Sequence, residues 1–135
     1  MDIKKEKLEN FKAAISSTVR SLSNSKKIDV SFGNQISKSS KNSINLPEPD
    51  HVSNGLNYEE IRAIADSKSL RYRFSNNQTL KKYEPIGNIS KKLYKISEKI
   101  RCEKIGTSYF KGVKDNIENF YQKRVSGLDL KSSED

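Results

Sequence analysis

Tryptophan is absent from this chain of 135 residues, and cysteine, histidine and methionine each occur once. A lone Cys102 excludes an internal disulfide, and no Cys-x-x-Cys spacing offers a zinc or dithiol redox site. His51 lies in a proline-flanked stretch with no cysteine or carboxylate at metal-ligand spacing, and a protein metal site needs three or four converging ligands. No apolar run approaches the ~20 residues that cross a bilayer, and the charged segment 1–10 has no signal-peptide core. These absences predict a soluble, cytoplasmic protein without a membrane partner. No Gly-x-x-x-x-Gly-Lys-Ser/Thr loop is present, which excludes nucleotide binding of the P-loop kind, and no nucleophile and base stand in a catalytic spacing.

What is present is charge. Hydrophobic residues make up 33% and charged residues 32%, enough for one domain with a modest core. The net charge of +9 suits a phosphate backbone, an acidic membrane or an acidic protein segment. Lysine far outnumbers arginine beside abundant Ser, Asn and Ile, so a solvated, compositionally drifted surface explains the same charge. Tyr72, Tyr83, Tyr94, Tyr109 and Tyr121 stand among lysines as on a single-strand-binding surface, but match no RNA-binding consensus; the rim of a helical core accounts for them too.

Periodicity sets the elements. Leu8, Phe11, Ile15, Val19 and Leu22 recur every three or four residues and predict a first amphipathic helix. Ile28, Val30 and Phe32 alternate with Asp29 and Ser31 in a short strand closed by Gly33. Its partner is expected near Tyr72 to Phe74, failing which the segment stays irregular, because an isolated strand leaves its backbone groups unpaired. Residues 34–56, rich in Ser, Lys and Asn, read as a flexible loop. Asn57 and Glu60 are spaced to cap a second helix with Ile61, Ile64, Ala65, Leu70 and Phe74 inside, and Ser75-Asn76-Asn77 ends or breaks it. Leu80 and Tyr83 suggest a short continuation. A last helix starts near Asn88, with Ile89, Leu93, Ile96 and Ile100 as its apolar side and Ile105, Tyr109, Val113, Ile117 and Phe120 continuing it. Gly106 and Gly112 each cost that pattern up to ~1 kcal/mol of helix propensity, which points to close helix approach, a kink or mere drift. The expected fold is mainly α: a small helical domain with a long C-terminal helix or helix pair and one short β element. Its parts are a helix and extended arm (1–33), a flexible linker-like loop (34–56), a helical hairpin core (57–128) and the start of an acidic linker (129–135).

The order of residues in the last third carries a resemblance. Arg101-Cys102-Glu103-Lys104-Ile105-Gly106, then Phe110-Lys111-Gly112-Val113, Asn116-Ile117 and Arg124, resembles the N-terminal region of the T subunit of aerobic, ATP-dependent cobaltochelatase. Upstream, Phe11 to Phe32, Leu46-Pro47-Glu48-Pro49, Ala65-Asp66, Leu70-Arg71 and Pro85-x-Gly87 are similar to the same family in the same order. Ser75-Asn76 stands where the family pattern has a His-Asp pair, and the family's Asp-x-Ser-x-Ser metal motif is missing, so the chain reads as an N-terminal piece of a longer protein. The resemblance implies a non-catalytic part of a cytoplasmic machine that inserts Co2+ into hydrogenobyrinic acid a,c-diamide during cobalamin synthesis. It implies as partners the S subunit, an AAA+ ATPase, and the corrin-binding N subunit, in a ring-shaped hetero-oligomer that uses ATP and Mg2+. No cofactor, catalytic residue or metal ligand is expected on this chain, and nucleic acid is disfavoured as a partner. The alternatives are a small basic nucleic-acid-binding module, or a basic face that folds onto the acidic linker of its own chain. Asp66, Arg71, Glu98, Arg101, Glu103, Gly106, Gly112, Asn116 and Arg124 are the structural or interface candidates; for Asp66, Arg71, Glu98, Arg101 and Glu103 the expected role is buried ion pairs between helices, with a partner surface second. Cys102 beside Arg101 is either an activated thiol or a small core residue.

Overall fold

The computed structural model describes residues 3–34, 42–49 and 58–132. In chain order it contains α1 (Ile3–Leu22), β1 (Asp29–Phe32), β2 (Ser43–Leu46), α2 (Tyr58–Phe74), α3 (Asn77–Lys82), α4 (Asn88–Tyr109) and α5 (Lys111–Ser132). The fold is mainly α, as the periodicities predict. The proposed Asn57 cap and His51 lie outside the described residues.

In α1 the predicted stripe is the buried one, from Leu8 to Leu22. The helix stops because Asn24 adopts a left-handed conformation, φ 58°, which its short polar side chain tolerates. The N–H of Ser25 then reaches the Arg20 carbonyl at 3.0 Å and that of Asn24 the Ser21 carbonyl at 3.2 Å, which satisfies carbonyls the helix leaves open. Arg73 of α2 donates to a further one, that of Leu22, at 3.3 Å.

The strand at 29–32 finds its partner at Ser43–Leu46, and not at Tyr72 to Phe74, which lie within α2. The pairing is parallel, with Asp29 opposite Ser43 and Phe32 opposite Leu46. Ser-Ile-Asn-Leu alternates with period two just as β1 does, so Ile44 and Leu46 turn inward and are buried. Two apolar residues in a polar stretch were too short a signal to set this strand apart from loop.

α2 is the central element, packed against α1, β2, α4 and α5. One cluster joins Phe11, Ile15 and Val19 of α1 to Ile28, Phe32, Ile44 and Leu46 around the sheet and to Ile61 and Ala65 of α2. A smaller cluster of Leu22, Leu70, Cys102 and Ile117 ties α2 to α4 and α5. α4 and α5 are a helix pair. Phe110 between them is extended, at φ −122° and ψ 105°; its N–H bonds the Gly106 carbonyl at 2.9 Å and its carbonyl accepts from Lys114 at 3.0 Å. It thus closes one helix and opens the next.

The predicted apolar side of α4 is not buried. Ile89 is 77% exposed, Leu93 60%, Ile96 52% and Ile100 55%. The side that packs is instead Tyr94, Glu98, Cys102 and Gly106, a row of residues four apart. Small or hydrogen-bonded residues there let α4 approach α2 closely, and the bulky stripe is turned away.

Candidate functional site

The family-like polar residues gather where α2, α4 and α5 meet. A cleft of about 340 Å3 opens there, with Arg71 of α2, Glu103 of α4 and Arg124 of α5 in its walls. Lys68 of α2 and Lys99 of α4 add two further cations, and Ile64, Ile117 and Phe120 supply apolar surface.

Glu103 is 6% exposed, and a buried carboxylate requires donors. Ser67 of α2 donates to its Oε1 at 2.5 Å, and the Tyr121 hydroxyl of α5 lies 2.8 Å from Oε2 and 3.1 Å from Oε1. Lys99, one turn back on α4, is 4.0 Å away. Burial pushes the Tyr121 phenol up to about 12, and its hydrogen bond to the Glu103 carboxylate adds to the rise. One acidic side chain thereby joins three helices through neutral hydroxyls.

Asp66 makes the second joint. The Asn116 amide of α5 donates to its Oδ2 at 2.9 Å. Burial raises the Asp66 carboxyl above its usual range, opposed by this hydrogen bond and by the charge of Arg62. Glu98 and Arg101 pair within α4 at 2.6 Å, with the Arg101 guanidinium half exposed and donating also to the Phe74 carbonyl at the end of α2 at 2.8 Å. Hydrogen bonds from Arg101, outweighing partial burial, hold the Glu98 carboxyl down to about 2; Ser75 contributes through a bond of 2.9 Å.

The expected ion pairs between helices are therefore replaced. Among the described residues, Asp66 and Glu103 reach other helices through Asn116, Ser67 and Tyr121, Glu98 reaches Ser75 just past the end of α2, and Arg71 and Arg124 make no ion pair. Neutral donors avoid burying a second charge, whose desolvation commonly cancels the attraction of a buried pair.

Gly106 and Gly112 differ. A Cβ on Gly106 would stand 2.2 Å from Cδ2 of Leu70, which is fully buried, so this glycine is what lets α4 meet α2. A Cβ on Gly112 would meet nothing within 4 Å. Cys102 is buried, and burial together with the Glu98 charge pushes its thiol up, so it is a small core residue and not an activated nucleophile. Ser75 and Asn76, where the resemblance leads to an expected His-Asp pair, have their own tasks here: Ser75 donates to Glu98, and Asn76 accepts from Gln78 and Thr79 to cap α3.

Sequence reasoning placed Arg71, Glu103 and Arg124 among the candidates but missed Ser67, Lys68 and Lys99. Their signal was weak: Lys68 and Arg71 are three apart on α2, Lys99 and Glu103 four apart on α4, and nothing local says that these faces converge. Among the described residues, no group of three or more His, Cys, Asp and Glu side chains is placed to hold a metal ion, and no helix is long and apolar enough to cross a membrane.

A small three-helix junction tied by buried hydrogen bonds, beside an exposed apolar helix face, defines a mainly α domain. Residues 5–134 match the family described as cobalamin biosynthesis protein CobT, which is nearly the whole chain. The chain belongs to that family, and its setting is cobalamin biosynthesis. No solved structure matches it.

Proposed function

We propose that this chain is a non-catalytic N-terminal docking domain of a cobaltochelatase T subunit, in a complex that inserts Co2+ into hydrogenobyrinic acid a,c-diamide with ATP. Membership of the family supports the setting. The observation that carries the docking role is the face of α4. Ile86, Ile89, Leu93, Ile96 and Ile100 follow one another at alternating steps of three and four, and all are more than half exposed. That spacing is the seam by which one helix packs on another. Ile86 just ahead of α4 and four large apolar side chains in a row on it form the kind of patch that marks a protein contact. The row is flanked by Lys91, Lys92 and Lys95, which gives the contact a basic rim.

In this reading ATP hydrolysis and corrin binding belong to the S and N subunits, Co2+ is the substrate of the assembly, and the complex is a cytoplasmic ring-shaped hetero-oligomer. The domain supplies a helix face. Its test is a titration against purified S subunit, with and without ATP and Mg2+, followed by sedimentation at physiological salt. Co-migration is expected. If the chain sediments alone against both the S and the N subunit, the docking role is lost.

A further inference from the structure

The cleft between α2, α4 and α5 holds four cations and one carboxylate, and that carboxylate is already occupied. Glu103 spends its oxygens on Ser67 and Tyr121, and among the described residues only Lys99 is near enough to share it, at 4.0 Å. Asp66, on the same helix as Arg71, is turned to Asn116. Arg71 and Arg124 thus stand in the cleft wall without an ion-pair partner among the described residues, and Arg124 is held with its guanidinium 4.7 Å from the centre of the Phe120 ring. A guanidinium is planar by delocalisation, and contact with a ring face uses none of its N–H donors. Lys68 feels the crowding: burial lowers its ammonium from the usual range and the charge of Lys99 lowers it further. Like charges drawn from three helices into one concavity repel one another unless an anion enters.

We propose that this cleft is a binding site for a small organic anion with at least two oxyanion groups, received by Arg71 and Arg124 and flanked by Lys68 and Lys99. Arginine forks fit a carboxylate or a phosphate by paired hydrogen bonds. The wall of Ile64, Ile117 and Phe120 accepts an apolar frame between the charged groups. The volume of about 340 Å3 is at the lower end of the ligand-pocket range of about 300–1,000 Å3, which suits a small molecule. Glu103 sets polarity: seated deep on hydroxyls, it repels a bare anion from the floor and keeps oxyanions at the cationic rim.

Two probes separate the sources of the oxyanion, citrate for carboxylate and inorganic pyrophosphate for phosphate, each titrated by calorimetry into the 135-residue chain near physiological ionic strength, about 0.15 M. At least one is expected to bind, and which one assigns the group. Arg71→Gln with Arg124→Gln is expected to weaken it at least about tenfold, about 1.4 kcal/mol. Lys91→Gln with Lys92→Gln, which removes the same charge from exposed positions on α4, is expected to leave it within about twofold. If melting shows the arginine pair unfolded, Lys99→Gln takes its place with a several-fold loss expected. Failure of both probes to bind, or equal losses in the cleft and surface variants, overturns the proposal. It stands apart from the docking role, because neither probe involves a protein partner.

Discussion

The two halves of this molecule use apolar residues in opposite ways. Around the sheet, Val19, Ile28, Leu46 and Ile61 are all 1% exposed or less, and α1, both strands and α2 share them. On α4 the residues of the same kind, Ile89, Leu93, Ile96 and Ile100, are each more than half exposed, and the helix is held instead by Cys102, Gly106 and buried polar contacts. A helix attached by small and hydrogen-bonded residues keeps its large apolar stripe for something else. The family-like polar residues are then the means of attachment, and in the proposed docking role the greasy residues are the offered surface.

The sharpest way to break this comparison is to truncate one residue in each half. Leu46→Ala removes a fully buried side chain and is expected to cost about 2–5 kcal/mol in urea denaturation. Leu93→Ala on the α4 ridge is expected to stay within about 0.5 kcal/mol. A large loss at Leu93 would mean that the stripe packs within the chain.

Next in size is the contrast between glycines. Gly106→Ala drives a methyl into Leu70 and is expected to cost about 1–3 kcal/mol. Gly112→Ala, in open space, is expected to be neutral or to stabilise by up to about 1 kcal/mol. Equal effects in thermal melts would remove the close approach of α4 and α2 from the account.

The polar joint gives a change of similar or smaller size. Asn116→Ala leaves Asp66 buried without its amide donor and is expected to cost about 1–3 kcal/mol at neutral pH. Because burial raises the Asp66 carboxyl, protonation relieves that loss, so the variant is expected to recover toward the parent as pH falls through the acid range. A deficit that is constant with pH would point to lost packing.

The smallest expected effect is on the pH profile. The folded Glu98 carboxyl is held down to about 2 from an ordinary 4.5. Its contribution is therefore complete above about 4.5 and is lost as pH falls toward 2. Glu98→Gln is expected to flatten that part of the acid limb, with only a modest effect because the partner Arg101 is half exposed. An unchanged limb would show that the pair does not form in solution.

The sequence located α1, the end of α2 and the start of α4, because those signals are local: a stripe, the polar run Ser75-Asn76-Asn77, and Pro85 and Gly87 ahead of Asn88. It paired β1 wrongly, since a parallel neighbour lies across an intervening loop and Ile44 and Leu46 give only one alternation. It found the ridge of α4 as an apolar side, but period alone cannot say whether a stripe faces its own chain or another. The candidate list drawn from the resemblance named three walls of the cleft, Arg71, Glu103 and Arg124, whereas Lys68 and Lys99 were indistinguishable from the many surface lysines until the helices converged.

The most direct test of the docking face joins two readouts on one variant. In Leu93→Ser with Ile96→Ser, the melting temperature and the co-sedimentation with the S subunit are measured together. An unchanged melt and lost association are expected. A variant that still co-sediments as the parent does, or one that unfolds, would contradict it.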